Sequence, residues 1–432
     1  MKFYSTNKQS AEVNLQDAVV KGLAPDKGLY MSERIKTLPR EFFENIDKLS
    51  FHDIAYTVAD AFFGEDIEAD TLRSIVEDTL SFDTPVVHVD ANIYSLELFH
   101  GPTLAFKDVG ARFMARLLAY FIQKQRQTDV KVLVATSGDT GSAVANGFLG
   151  VDGIHVYVLY PKGKVSPIQE CQFTTLGQNI TAIEVDGTFD DCQALVKTAF
   201  LDAELNKKLN LTSANSINVA RFLPQAFYYF HAYAQLKRQG KANNVVFAVP
   251  SGNFGNITAG LIAKRMGLPI KRFIAANNRN DIFLQYLNTG VYTPRPSVQT
   301  IANAMDVGDP SNFARVLDLY GHSHERITSE ISGFSYDDDQ IAETLKLAYT
   351  KTGYLLDPHG ACAYQSLLDN LNSDEVGVFL ETAHPAKFNE TVEHIITSTV
   401  EIPEKLREFM SGDKSVVSID KSYDTFRLVL SD

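Results

Sequence analysis

From Pro85 onward, short apolar segments typical of β-strands alternate with amphipathic segments typical of α-helices. This alternation restricts the fold more than any other feature, because successive strand–helix units build parallel sheets with helices on both faces. The clearest predicted helix covers 108–125, where apolar residues recur every three to four positions. Strands are predicted over 94–99, 131–136, 154–159, 180–185, 244–249, 272–276 and 376–380.

The chain has 432 residues, which is too long for one ordinary domain. The part before Pro85 is predicted to be mostly helical, with a turn-rich stretch at Gly22–Tyr30. We therefore predict an α/β fold with two parallel-sheet domains and an N-terminal, mostly helical domain. The predicted bounds are 1–92 for the N-terminal domain, 93–107 with 220–432 for a large domain, and 108–219 for a smaller, mobile α/β domain.

Composition excludes several classes of protein. The formal net charge is −13 and the lysines and arginines are scattered, whereas nucleic-acid-binding proteins concentrate positive charge on one face. Three widely spaced cysteines without a CxxC motif argue against a disulfide framework and a zinc site. No signal-like segment opens the chain and no apolar run approaches the ~20 residues of a membrane span. We expect a cytoplasmic protein without metal, nucleic-acid or membrane partners.

Loops beyond the carboxyl ends of parallel strands are where such folds bind ligands. Lys107 lies in one of these segments, after a Gly101-Pro102 turn and before the 108–125 helix. Beside Phe106 its amine could be partly desolvated, which favours the neutral form needed to attack a carbonyl group. A surface lysine next to Asp108 as a helix cap would give the same sequence.

Two other loops have the features of anion sites. Thr136–Gly141 and Ser251–Asn256 each follow an apolar strand and open a helix. Their glycines let the backbone approach a ligand, and free amides at a helix start bind carboxylate or phosphate. The second loop has neither a Walker motif nor GxGxxG, so it is predicted to hold a single phosphate group. Plain capped turns would explain both loops equally well.

Two further segments carry polar groups at strand ends. Asn215 and Ser216 precede a predicted long helix, with Arg221 about one turn inside it. This arrangement would suit a second anion, or simply cap the helix. Thr382 follows an apolar strand and could give a neutral hydrogen bond to a heteroaromatic nitrogen, while His384 is typical of a turn or core histidine. A cofactor with an aldehyde, a phosphate and a ring nitrogen would use all these groups.

Four long segments occur in a familiar order: HGPTLAFKD at 100–108, ATSGDTG at 135–141, PSGNFGN at 250–256 and TAHPAKF at 382–388. They closely resemble the threonine synthases of bacteria and fungi, and the resemblance covers nearly the whole chain. That family belongs to the fold-type II pyridoxal-phosphate enzymes, together with tryptophan synthase β, cysteine synthase and the serine/threonine dehydratases. The resemblance implies the tryptophan synthase β-like pair of domains.

The resemblance also implies a reaction. Threonine synthases are carbon–oxygen lyases that convert O-phospho-L-homoserine and water to L-threonine and phosphate, the last step of threonine biosynthesis. The alternative is another fold-type II lyase, such as a serine/threonine dehydratase or a phospho-lyase. The implied cofactor is pyridoxal 5′-phosphate, the implied partner is a small-molecule substrate, and a monomer or homodimer is expected.

Residue roles follow from the same resemblance. Lys107 matches the Schiff-base lysine and is expected to be the catalytic base. Cofactor binding is expected from Asp139, Ser251, Gly252, Asn253, Phe254, Gly255, Asn256 and Thr382. Substrate binding is expected from Thr136, Ser137, Gly138, Thr140, Asn215, Ser216 and Arg221. The sequence departs from the wider pattern at Asp139, since many fold-type II members carry asparagine there, near the 3′-oxygen of the cofactor.

Overall fold

The computed structural model describes residues 1–125 and 129–431; residues 126–128, part of the predicted smaller domain, lie outside the described residues. The strands are β1 (Lys2–Ser5), β2 (Val13–Asn14), β3 (Tyr30–Ser32), β4 (Val86–Asp90), β5 (Ile93–Glu97), β6 (Val130–Ala135), β7 (Ile154–Pro161), β8 (Ile180–Val185), β9 (Asn210–Ser213), β10 (Val245–Pro250), β11 (Ile270–Asn277), β12 (Ile331–Ser335), β13 (Val376–Glu381) and β14 (Val417–Ile419).

The α-helices are α1 (Leu15–Lys21), α2 (Arg40–Asn45), α3 (Phe51–Phe63), α4 (Ala69–Thr79), α5 (Lys107–Gln125), α6 (Asp139–Phe148), α7 (Pro167–Thr174), α8 (Phe189–Leu201), α9 (Leu205–Lys208), α10 (Val219–Phe222), α11 (Ala226–Arg238), α12 (Gly255–Arg265), α13 (Ile282–Thr289), α14 (Phe313–Leu319), α15 (His324–Glu330), α16 (Asp338–Thr352), α17 (Pro358–Asn370), α18 (Asn389–Ile396), α19 (Glu404–Met410) and α20 (Tyr423–Ser431). Short 3₁₀ turns lie at Ile46–Lys48, Leu223–Gln225, Asn303–Met305 and Pro385–Phe388.

Two mainly parallel sheets confirm the predicted α/β class. The larger has the order β12-β11-β10-β13-β5-β4, with β4 antiparallel to its neighbour and all other pairs parallel. The smaller has the order β14-β8-β7-β6-β9 and is parallel throughout. Every residue of β6, β10 and β13 is buried, as expected for central strands covered by helices on both faces.

The seven strands expected from apolar runs are all present, within one or two residues of their predicted bounds. The strands that the apolar pattern missed include β9, β12 and β14, each at the edge of its sheet. Edge strands bury less side-chain surface than central ones, so their sequences carry no continuous apolar run. The N-terminal segment also adds a small antiparallel sheet of order β2-β1-β3.

The long helix expected after Asn218 is interrupted. The structure has the short α10, then a 3₁₀ turn at Leu223–Gln225, then α11. Pro224 lies in that turn, where its missing amide hydrogen breaks the α-helical hydrogen-bond pattern. Arg221 is therefore on a one-turn helix capped by Asn218, whose side chain accepts the Ala220 amide.

The C-terminal segment returns to the smaller sheet. Strand β14 pairs with β8 in parallel, and α20 follows it. The buried ammonium of Lys131 in β6 donates to the Leu430 carbonyl at 2.6 Å, which places a positive charge at the carboxyl end of α20, where the helix dipole favours it. In the described part of the chain, no helix is both long and apolar enough to cross a membrane.

Candidate active site

Loops at the carboxyl ends of β6, β10 and β13 meet around one cavity of about 100 Å³. The predicted site residues that line it are Lys107, Thr136, Ser137, Thr140, Asn215, Ser216, Arg221, Gly252, Asn253, Phe254, Gly255, Asn256 and Thr382. The cavity-lining residues without a predicted role include Gln225, Met305, Asp306 and His359. Segments far apart in sequence therefore form a single site.

Three predicted residues lie just behind the cavity wall. Ser251 is buried, and its hydroxyl donates to Val249 O at 2.8 Å. The Gly138 amide donates to Thr136 Oγ1 at 2.9 Å, so these two groups satisfy each other. The hydroxyls of Ser137 and Thr140 line the cavity and have no hydrogen-bond partner among the residues that the structure describes. Asp139 is also buried, with its carboxylate directed to other side chains.

Lys107 is the first residue of α5, and the chain before it is fixed to the strand end that carries Thr382. The Phe106 amide donates to Thr382 O at 2.8 Å, Ala105 forms a β-bridge with Ala383, and the Tyr228 hydroxyl donates to Phe106 O. These bonds hold the lysine and the threonine hydroxyl at the same cavity.

The Lys107 amine has the properties of a nucleophile. Among the described residues, its Nζ has no hydrogen-bond partner. Burial, assisted by the positive charges of Arg221 and Lys387 and opposed by Asp139, lowers the pKa of Lys107 to about 8. A much larger fraction of this amine is neutral near pH 7 than for an ordinary lysine, and the neutral amine is the form that attacks a carbonyl.

The Ser251–Asn256 loop forms a cup of backbone amides at the start of α12. Phe254 has a left-handed backbone (φ 63°), which a non-glycine residue adopts only where its surroundings enforce it. A Cβ on Gly252 would lie 2.8 Å from Ala304 O, so the loop packs against the 303–305 turn without spare room.

The side chain of Asn256 indicates that this cup can hold an anion. Its Oδ1 accepts the Tyr229 hydroxyl at 2.8 Å, which orients the amide group. Its Nδ2 is buried and has no partner among the described residues. A buried donor without a partner costs free energy unless a ligand accepts from it, and with the first amides of α12 it fits a phosphate group.

Arg221 marks a second anion site. Its side chain is buried, it forms no ion pair within the described residues, and its Nε has no partner there. One guanidinium nitrogen donates to Ala214 O. Burial lowers the pKa of Arg221 to about 10, which still leaves it charged. A buried cation without a counter-ion is costly, so an anionic ligand beside Asn215 and Ser216 is the natural complement.

Arg315 fixes this second site from behind, and no sequence motif indicated it. Its guanidinium donates to Tyr30 O at 3.0 Å, Ser216 O at 3.0 Å and Ile217 O at 2.7 Å. It is fully buried and stacks 4.2 Å from the centre of the Phe222 ring. Through Arg315, strand β3 of the N-terminal segment positions the 215–217 loop.

We expect Arg315→Met to lower the free energy of unfolding by about 3 kcal/mol, because several buried carbonyl groups lose their donor at once. The loosened 215–217 loop should also raise the KM for an anionic substrate more than it changes kcat. Denaturant unfolding and steady-state kinetics measure the two effects. Arg40→Met, at an exposed arginine of α2, is the control, and equal stability of both variants would contradict this role.

Asp139 is an anion in this structure. Its Oδ1 lies 2.6 Å from Lys387 Nζ and accepts from Gln169 Nε2 at 2.8 Å. Burial alone would raise the pKa of Asp139, but the charges of Lys387 and Lys107 and these hydrogen bonds outweigh burial and hold the pKa well below its usual value. Sequence reasoning gave Lys387 no role, although it lies in the 382–388 segment.

Two histidines near the site differ in whether they line the cavity. His384 does not line the cavity; its Nδ1 accepts the Ala386 amide at 3.1 Å, and burial lowers the pKa of His384 to about 4. This agrees with its interpretation as a turn histidine. His359 lines the cavity, with Nδ1 2.6 Å from Asp357 Oδ1 and Nε2 accepting the Ala304 amide at 3.1 Å. The described residues contain no cluster suited to a metal ion.

Family comparison covers nearly the whole chain. Residues 2–80 match the family "Threonine synthase N terminus", residues 79–380 match "Pyridoxal-phosphate dependent enzyme", and residues 359–429 match "Threonine synthase, C-terminal". The chain is 47% identical to threonine synthase of Haemophilus influenzae over 406 residues and 44% identical to that of Escherichia coli over 408 residues, with 94% of both chains covered in each case.

Solved structures of threonine synthases match the fold of this chain. The crystal structure of threonine synthase from Escherichia coli matches with a TM-score of 0.93 and 42% identity, covering 100% of this chain and 99% of that one. The pyridoxal-phosphate-bound threonine synthase from Brucella melitensis matches with a TM-score of 0.93 and 36% identity, covering 100% and 98%. Maize serine racemase, at 17% identity and a TM-score of 0.54, shares the fold alone.

Proposed function

The chain belongs to the threonine synthase family of pyridoxal-phosphate-dependent lyases, and from this premise we propose how its residues convert O-phospho-L-homoserine and water to L-threonine and phosphate. The observation that carries the proposal is one cavity in which the Lys107 amine lies with two separate anion sites. The Ser251–Asn256 cup accounts for a cofactor phosphate, and Arg221 accounts for a phosphate on the substrate. A dehydratase acting on serine or threonine has no use for the second site.

The residues present fit pyridoxal phosphate. The α12 amides and the free Asn256 Nδ2 would hold its phosphate. The Thr382 hydroxyl would give its ring nitrogen a neutral partner and so add no charge there. Asp139, next to Lys107, is the proposed group at the 3′-oxygen. When bound, the cofactor supplies a conjugated ring that spreads negative charge away from the substrate carbon.

The protein residues then have separate tasks. Lys107, with its lowered pKa, takes the proton from Cα of the substrate. The hydroxyls of Ser137 and Thr140, in the loop that also contains Thr136 and Gly138, hold the substrate carboxylate. Arg221, with Asn215 and Ser216, binds the phosphate oxygens and stabilises the charge that develops on them as phosphate departs from Cγ. A proton must also leave Cβ for phosphate to depart from Cγ. Water then supplies a hydroxyl group at Cβ, and Cγ and Cα each regain a proton, which gives threonine.

The proposal also includes the domain division, the oligomeric state and the location of the protein in the cell. The division into an N-terminal domain (1–92), a large domain (93–107 and 220–432) and a smaller mobile domain (108–219) stays a prediction. The presence of two parallel sheets supports it, whereas β4 joins the larger sheet and β14 the smaller one, across the predicted bounds. A monomer or homodimer is expected. We place the protein in the cytoplasm, since Cys171, Cys192 and Cys362 are all free thiols, as in reducing compartments.

Product analysis tests the function. Purified protein with pyridoxal phosphate and O-phospho-L-homoserine should release phosphate and threonine in equal amounts, because both arise from the same substrate molecule. Phosphate assay and amino-acid chromatography on the same sample give the ratio. Phosphate accompanied by a 2-oxo acid and ammonia instead of threonine would favour a deaminating lyase. Homoserine without its phosphate should remain unconverted, since it leaves Arg221 unpaired.

A further inference from the structure

Lys387 is a fully buried lysine next to the site, and the reaction as described assigns it no task. It lies on the 3₁₀ turn that follows β13. Its Nζ is 2.6 Å from Asp139 Oδ1 and donates to Thr103 O at 2.8 Å. Thr103 precedes Lys107 in the loop leading into α5, and Asp139 opens α6 beside the smaller sheet. One ammonium group therefore joins the two loops that flank Lys107.

The ion pair of Lys387 and Asp139 belongs to the charged groups that act on the Lys107 amine. Asp139, Arg221 and Lys387 are the charged groups that act on its amine, and Asp306 and His359 are the other titratable side chains lining the cavity. The ion pair of Asp139 and Lys387 carries no net charge. Either member alone would act on Lys107 with an uncompensated charge in a buried site, where a single charge is poorly screened.

The contacts of Asp139 show which partner it takes. Its Oδ1 is occupied by Lys387 Nζ and Gln169 Nε2, and Lys107 Nζ forms no salt bridge with it among the described residues. Besides Lys387, the amine of Lys107 is the other positive charge that acts on this carboxylate. A lysine held as the cation of an ion pair is neither a nucleophile nor a base.

We propose that Lys387 is a positioning residue. Its positive charge balances the negative charge of Asp139 in an ion pair, and this prevents Asp139 from holding the Lys107 nitrogen as a cation. This inference rests on the proposed role of Lys107 as the residue linked to the cofactor. It assigns the pair an electrostatic task that neither of its members can perform alone.

The test uses the holoenzyme and three variants: Lys387→Met, Asp139→Asn and the double variant. The measurement is the pH midpoint at which the visible cofactor band changes, which reports the proton on the nitrogen that Lys107 contributes. Lys387→Met leaves a negative charge and should raise the midpoint by about one pH unit, whereas Asp139→Asn leaves a positive charge and should lower it by about as much. The double variant has no net change and should return close to the unmodified protein.

Opposite shifts that cancel in the double variant support the inference, because mere loosening of the structure cannot change sign with the charge removed. Identical midpoints in all four proteins, or shifts of the same sign in both single variants, would overturn it. Denaturant unfolding of each protein identifies a variant that fails to fold, and the sign of the shift in the remaining single variant then decides. Absence of any cofactor band in the unmodified protein would overturn the proposed function itself, a distinguishable result.

Discussion

Replacing Lys107 with alanine is expected to abolish the visible absorption of bound pyridoxal phosphate and to lower kcat by at least about 1,000-fold. The reason is that this one nitrogen has two tasks, as the covalent partner of the cofactor and as the base at Cα. The lowered pKa of Lys107, caused first by burial, equips it for both. Absorption spectra of the protein after incubation with the cofactor, followed by phosphate-release kinetics, measure the two effects.

Lys124→Ala is the matched control for this experiment. Lys124 lies in the last turn of the same helix, α5, but is exposed and contacts Tyr120 and Glu68 on the surface. It should retain both the visible band and the rate. A visible band of full intensity in the Lys107→Ala protein would show that another residue carries the cofactor, and the reaction scheme above would then be wrong.

Replacing Arg221 with methionine is expected to lower kcat/KM for O-phospho-L-homoserine by about 100- to 1,000-fold while the visible band remains. Arg221 is a buried cation that forms no ion pair within the described residues, and the developing charge of the departing phosphate is the charge that it best stabilises. Arg221→Lys should recover only part of the loss, because an ammonium cannot give the paired donors of a guanidinium. Inhibition by inorganic phosphate should weaken in parallel.

Stability distinguishes a ligand-binding arginine from a structural one. Because the guanidinium of Arg221 is buried and has no counter-ion in the described part of the chain, Arg221→Met should be neutral or stabilising for the ligand-free protein. Arg315→Met should be strongly destabilising, since that guanidinium satisfies several main-chain carbonyls. A large fall in unfolding free energy for Arg221→Met with unchanged kcat/KM would make Arg221 a structural residue.

Much of the fold could be predicted from local patterns. The strands β5, β6, β7, β8, β10, β11 and β13 are continuous apolar runs, and α5 has a clear helical period. Those patterns failed where burial is one-sided or absent, at the edge strands β9, β12 and β14, and where Pro224 breaks the helix that would otherwise join α10 to α11. Local sequence patterns indicate which segments are buried and where turns occur, but they do not show which strands lie at the edge of a sheet.

The candidate site shows the same division. Its loops could be found because each follows an apolar strand and contains glycine with hydroxyl or amide side chains, and most of the predicted residues line the cavity. Lys387 and Arg315 were missed because neither has a local signature. A buried lysine and a buried arginine look like surface residues in a sequence, and only their partners distinguish them.

The sequence by itself determined the alternation of strands and helices, the loops that end at one edge of each sheet, and the position of Lys107 at the start of α5. The tertiary structure decided which of those loops meet. It brought Lys387 to Asp139, Arg315 to Tyr30 and Lys131 to Leu430. The physical reason is that hydrophobic periodicity and turn preferences act between neighbours in the chain, whereas the pairing of a buried charge depends on the order of strands in a sheet and on how two sheets face each other.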